Sequence, residues 1–127
     1  MLNQVFSVRG ATTVDGNTEK DITERSVELM AEIVKRNGLN ENPDLEVTEY
    51  IISTTEDITA FYPARAIRES KIIDAPIFSV REPSITGALP LCIRIIVRVS
   101  NYGDKAAPKH VYLHGAAKLR PDIVKSC

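Results

Sequence analysis

The stretch Leu91-Cys92-Ile93-Arg94-Ile95-Ile96-Val97-Arg98-Val99-Ser100 decides the fold. Ile93, Ile95, Val97 and Val99 recur at every second position, so in a strand they share one face, while Arg94, Ile96 and Arg98 share the other. The β-branched residues suit a pleated, half-buried surface. A strand with one continuous apolar face needs a covering layer on that side. The opposite face poses a different question. Arg94 stands in the middle of a run whose neighbours are almost all β-branched, and a charge there must face water, a partner charge or an anionic ligand. The residues alone leave these three open, with Glu82 as the obvious acidic partner.

Working outward, three more segments read as strands. Gln4 to Val8 alternates and ends at Gly10, Val47 to Ser53 leads into the polar Thr54-Thr55-Glu56-Asp57, and Pro76 to Val80 forms a third. His110 to Leu113 is a short last strand. Two helices are interleaved. The first runs from about Thr18 to Asn37, capped by Asn17 or Thr18 and stopped by Gly38. Its apolar stripe is Ile22, Leu29, Met30, Ile33 and Val34, and Glu19 and Asp21 in the first turn complement the helix dipole. The second is short, from Pro63 to Ser70, with proline where the first turn tolerates it. Strands interleaved with two helices predict an α+β fold, a mixed β-sheet packed on one side by helices, in a single domain spanning residues 1–127. The tail beyond about residue 120 is expected to be mobile.

Composition narrows the function classes. Sixteen basic residues against seventeen acidic ones leave a net charge of −1, so broad electrostatic binding of nucleic acid or of an acidic membrane surface is not expected. No apolar run approaches membrane-spanning length and no signal-peptide pattern opens the chain, which predicts a cytoplasmic protein. Cys92, inside an apolar run, reads as a buried thiol and Cys127 as a tail thiol. No phosphate-cradling loop, nucleophile elbow or metal-ligand cluster is present, so no cofactor and no metal are expected. His110 and His114 are four apart but followed by Gly115 rather than set on a helix, and read as structural or surface residues.

What remains is arginine in unusual company. Arg9 ends the first strand beside Gly10-Ala11-Thr12-Thr13, and Arg65 and Arg68, three apart on the short helix, share a face. Arginine outnumbers lysine, as suits planar, bidentate grips on carboxylates. Tyr112, in Val-Tyr-Leu, reads as a core residue whose hydroxyl seeks one polar contact.

Val8-Arg9-Gly10-Ala11-Thr12-Thr13-Val14, Tyr62-Pro63-Ala64-Arg65-Ala66-Ile67-Arg68-Glu69, Thr86-Gly87 with Cys92-Ile93-Arg94, His110-Val111-Tyr112-Leu113 and Leu119-Arg120-Pro121-Asp122 occur in one order along nearly the whole chain. This ordered set resembles the monofunctional chorismate mutases of the trimeric, mixed α/β type. The resemblance implies the Claisen rearrangement of chorismate to prephenate in phenylalanine and tyrosine biosynthesis. It also implies a homotrimer built as a pseudo-α/β barrel, with active sites between subunits. Carried over residue by residue, Arg94, Glu82 and Arg9 would be the catalytic groups. Arg9 and Tyr112 would hold the enolpyruvyl carboxylate, Arg94 would bridge it and the ether oxygen, and Glu82, with Ser79 beside it, would accept from the ring hydroxyl. Tyr62, Ala64, Arg65 and Arg68 would come from the adjacent subunit, the arginines near the ring carboxylate, with Leu119 and Arg120 closing over it.

Phe78, a further substrate-binding position, stands where some members carry a small hydroxyl residue; Ser79 stands where some carry cysteine, and Arg65 where some carry lysine. The Asn40 to Glu46 loop looks slightly longer than in some members. The chemistry accords with what the chain lacks. A Claisen rearrangement needs no nucleophile, metal or proton transfer, only a dianion held in its compact conformer and positive charge at the breaking C–O bond. The alternative is a trimer that binds small carboxylates at its interfaces, without catalysis or as an imine hydrolase. Glu82 together with Arg9, Tyr112 and Arg94 separates the two, because a carboxylate binder has no need of an acceptor for a ring hydroxyl.

Overall fold

The computed structural model describes residues 4–121. Five strands, β1 (Gln4–Thr13), β2 (Leu45–Thr54), β3 (Ile77–Arg81), β4 (Cys92–Asn101) and β5 (Val111–Tyr112), form one sheet in the order β3-β2-β4-β1-β5. The helices are α1 (Glu19–Asn37) and α2 (Pro63–Ser70), and a 3-10 turn spans His114–Leu119. β4 runs antiparallel to both β1 and β2, whereas β1 pairs with β5 and β2 with β3 in parallel. The sheet is therefore mixed. β4 lies between β1 and β2, and the β2–α2–β3 connection supplies the helical crossover that a parallel pair requires.

The alternation of β4 settles which face is which. Ile93, Ile95, Val97 and Val99 are buried against the helices, and Arg94, Ile96 and Arg98 are exposed on the other face. The core joins these residues to Val8, Tyr50 and Ile52 of the sheet, to Ile22, Leu29, Met30 and Ile33 of α1, and to Ile67 of α2. The α1 stripe is the one its periodicity predicts. Thr18 caps it by accepting from the Asp21 N–H at 3.1 Å, and Gly38 ends it at φ 63, a left-handed conformation that costs glycine nothing.

Two expectations change. β1 does not stop at Gly10 but continues to Thr13, because Gly10 is a site of close approach and not of a turn. A Cβ on it would lie 2.8 Å from Ile33 Cδ1 of α1 and 3.1 Å from the Val111 carbonyl oxygen. The last strand is shorter than expected, only Val111 and Tyr112. The Nδ1 of His110 takes the Arg9 N–H at 2.9 Å, in place of a backbone ladder bond. Leu119 closes the 3-10 turn; the rest of the expected mobile tail, from residue 122, and Cys127 lie outside the described residues. No helix among the described residues is long and apolar enough to cross a membrane.

Candidate active site

The strand registers put five residues in one row on the face that the helices leave open. Val80 of β3 pairs with Ser53 of β2, Ser53 with Arg94 of β4, Arg94 with Ala11 of β1, and Ala11 with Tyr112 of β5. Directly paired residues point to the same side of a sheet, so Arg94 projects between Ser53 and Tyr112 above the small side chain of Ala11. In the next row Arg9 pairs with Ile96, diagonal to Arg94 at the about 7–8 Å such neighbours keep. Glu82 follows β3, its N–H donating to the Thr54 carbonyl at 2.9 Å, which extends the parallel pairing past Arg81 and brings the carboxylate over Ser53.

These side chains line one cleft of about 340 Å³: Arg9, Ser53, Glu82, Arg94 and Tyr112, with Ile51 and Ile96 among its apolar lining. Arg94 Nε stands 3.6 Å from Glu82 Oε1, an ion pair but longer than a good hydrogen bond. The Arg94 side chain is 45% exposed and that of Glu82 24%, so the guanidinium reaches into open space with the carboxylate behind it. Beneath Arg94, two residues earlier on the same face, lies the buried, unbridged Cys92. Burial pushes its thiol pKa up, opposed by the charge of Arg94 and a hydrogen bond from it, so the thiol stays protonated and sets no second negative charge beside the guanidinium.

At the other side of the cleft, the Arg9 guanidinium makes no ion pair among the described residues. Its backbone is fixed by His110, whose pKa is lowered by burial first and then by the charges of Arg9 and Arg120. His110 is thus a neutral acceptor. His114 is engaged elsewhere, its Nε2 2.7 Å from Glu28 Oε1 on α1, so the two histidines do not converge.

Not every expected site residue joins this cleft. Tyr62, Arg65 and Ser79 line a separate hollow of about 660 Å³ between α2 and β3. Within one chain Ser79 therefore does not stand beside Glu82. It pairs with Ile52, on the helix-covered face, whereas Glu82 hangs over the open one. Arg65 is held by Glu69 at 2.8 Å and lies over the Phe61 ring, 5.5 Å from its centroid. Arg68 is exposed on α2 and its charge reaches the buried Tyr50, whose hydroxyl pKa burial raises. Ala64, Phe78, Leu119 and Arg120 line neither space; Phe78 is exposed on the open face beside Ile51, and Arg120 lies near His110. A hollow of about 270 Å³ under the 83–90 loop is lined by Glu56 and Asp57 and by no cation, so it does not suit an anion.

Ser53 is the cleft residue that pattern reading passed over. It looks like an ordinary polar strand end. Only the β2–β4 register places it opposite Arg94.

Three cationic side chains (Arg9, Arg81 and Arg94), one carboxylate and one phenol thus share an open cleft that fits a small dianion bearing a hydroxyl group. The family model for chorismate mutase type I matches residues 5–123. The chain belongs to this family. The chorismate mutase AroH of Bacillus subtilis is 35% identical over 120 residues, covering 94% of this chain and 92% of that one. The AroH enzyme of Thermus thermophilus is 34% identical over 119 residues, covering 94% and 96%. Among solved structures, a chorismate mutase from Clostridium thermocellum superposes with a TM-score of 0.78 at 35% identity, covering 89% of this chain and 98% of that one. The protein is accordingly a chorismate mutase, an isomerase that takes chorismate to prephenate, with the α+β fold of that group.

Proposed function

We propose that the rearrangement takes place in the cleft of Arg9, Glu82, Arg94 and Tyr112, with Arg94 as its principal catalytic group. The observation that supports this is the row Ser53–Arg94–Ala11–Tyr112, which aims one guanidinium into the cleft between a carboxylate and a phenol. As the C–O bond of the enolpyruvyl ether breaks, negative charge grows on oxygen. A guanidinium that remains charged and can touch the side-chain carboxylate and the ether oxygen together lowers that barrier. Arg9 and Tyr112 hold the enolpyruvyl carboxylate, and Glu82 accepts from the ring hydroxyl. Together they retain the compact conformer in which the reacting carbons touch.

The cleft is open, and with Arg9 and Arg94 given to the enolpyruvyl side chain only Arg81 of its lining remains for the second substrate carboxylate. Tyr62 at the N-cap of α2 and Ala64, Arg65 and Arg68 on it stand away from Arg94, as they would if they served a neighbouring subunit. The open sheet face exposes Ile51, Phe78, Val80 and Ile96, apolar surface of the kind that marks an interface. A homotrimer that packs these faces together, completes each cleft with α2 and Ser79 of the next subunit, and is closed by Leu119 and Arg120 meets both needs. Its place is the cytoplasmic synthesis of phenylalanine and tyrosine precursors.

The test is a chorismate assay, following loss of chorismate absorbance with protein alone. An Arg94→Ala variant should lose about 3–4 kcal/mol or more of barrier lowering, roughly two to three orders of magnitude in kcat. Sedimentation should show its assembly state unchanged. Full turnover by that variant would remove Arg94 from the role given to it.

A further inference from the structure

Glu82 has two carboxylate oxygens, and the open sheet face assigns one of them. Ser53 Oγ donates a hydrogen bond to Glu82 Oε1, the same oxygen that faces Arg94 Nε at 3.6 Å. Ser53 is the cross-strand partner of Arg94, half-buried, and lines the cleft with both charged groups. A serine hydroxyl has one proton to give, and here it goes to the carboxylate. Without that donor, an oxygen of Glu82 turned toward the sheet would lack a hydrogen bond, and Glu82 would gain by closing on the guanidinium. An Arg–carboxylate pair at full contact is a strong, often bidentate arrangement. It would engage both oxygens of Glu82 and draw the guanidinium away from the ligand.

We propose that Ser53 is a positioning residue for the rearrangement. It anchors Oε1 of Glu82 to β2, so that Oε2 faces the cleft as the acceptor for the ring hydroxyl and Arg94 stays long-paired and available. This rests on the roles of Arg94 and Glu82 given above and adds a third strand to them: β2 sets the carboxylate, β4 the guanidinium, and their register sets the spacing. The hydroxyl acts only through Glu82 and touches no reacting atom.

The experiment compares Ser53→Ala, Ser53→Thr and Glu82→Gln, singly and combined, by steady-state kinetics with chorismate. Ser53→Ala should lower kcat about tenfold, the loss expected for one hydrogen bond to a charged group, with KM changed about twofold or less. Ser53→Thr keeps the hydroxyl on a residue that strands favour and should restore most of the rate. In the Glu82→Gln background the Ser53→Ala change should cost about twofold or less, because the group it positions is gone. A merely structural Ser53 would cost the same in both backgrounds. Wild-type kcat in Ser53→Ala, a threonine variant as slow as the alanine one, or additive losses would each overturn the proposal. Should alanine impair folding, the threonine variant and the temperature of unfolding still separate the hydroxyl from the packing. Failure of the site assignment itself would look different: Glu82→Gln would then turn over at the wild-type rate.

Discussion

His110 fixes the backbone of Arg9 through one ring nitrogen, and the direction of its titration agrees with that. Its Nδ1 accepts the Arg9 N–H, which only a neutral ring can do, and burial together with Arg9 and Arg120 lowers its pKa. A base whose folded pKa lies below its unfolded value of about 6.5 binds fewer protons when folded, so stability rises with pH through that window. The contribution is fully present above the unfolded pKa and is lost as pH falls through the lowered folded one. Acidification should therefore weaken the bond that fixes Arg9 and set a third positive charge beside two arginines. A His110→Asn variant retains an acceptor without the titration. Denaturant unfolding at a series of pH values from 7 downward should show the variant losing less stability than the wild type over that range. Equal slopes for the two proteins would show that His110 does not titrate between the folded and unfolded states.

At the scale of elements, the cleft depends on β1 having a small residue between two large ones. Ala11 is 1% exposed and is the cross-strand partner of both Arg94 and Tyr112, so a larger side chain there would press on both. An Ala11→Leu variant must lift one of them. Overpacking of this kind costs about 1–3 kcal/mol of stability. A displacement of about 1 Å in a positioning group is enough to lower kcat/KM by roughly a hundredfold. Thermal unfolding and chorismate kinetics on the same preparation would check both, and a variant with unaltered kcat/KM would show that the row can yield. How much of this was legible differs from element to element. The two faces of β4, the α1 stripe with its glycine stop, and α2 from Pro63 to Ser70 follow from periodicity and capping, which are local properties. The length of β1 and the brevity of β5 do not. One depends on how closely α1 approaches Gly10, and the other on a side chain of β5's own flank capturing the Arg9 N–H. Family likeness points to Arg9, Glu82, Arg94 and Tyr112 as residues, but not to their arrangement across the sheet. Where Ser53 and Ser79 stand relative to Glu82 depends on register across strands distant in sequence, and a single strand's pattern does not reveal its partner's alignment.

For the whole molecule, the question is whether one chain holds a complete site. Arg94 and Glu82 lie on the open sheet face, while Arg65 and Arg68 lie on α2, away from that cleft. On the roles proposed above, a substrate with two carboxylates, gripped at one by Arg9 and Arg94 and at the other by Arg65 and Arg68, would span two copies of the chain. The proposed closed ring of three subunits would bring the cleft of each to the α2 of the next through one repeated heterologous contact. Subunit mixing tests this without any structure. An Arg94→Ala variant and an Arg65→Ala/Arg68→Ala variant should each be nearly inactive alone. When they are unfolded together and refolded as random mixed trimers, each site draws its cleft from one subunit and its α2 from another. With equal amounts, about one quarter of the sites then receive both intact halves, so activity should recover to roughly a quarter of wild type. If each chain held a whole site, mixing would restore nothing, since every site would carry one variant's defect. Recovery near a quarter that disappears when the two variants are refolded separately and then combined without exchange would place the site between subunits.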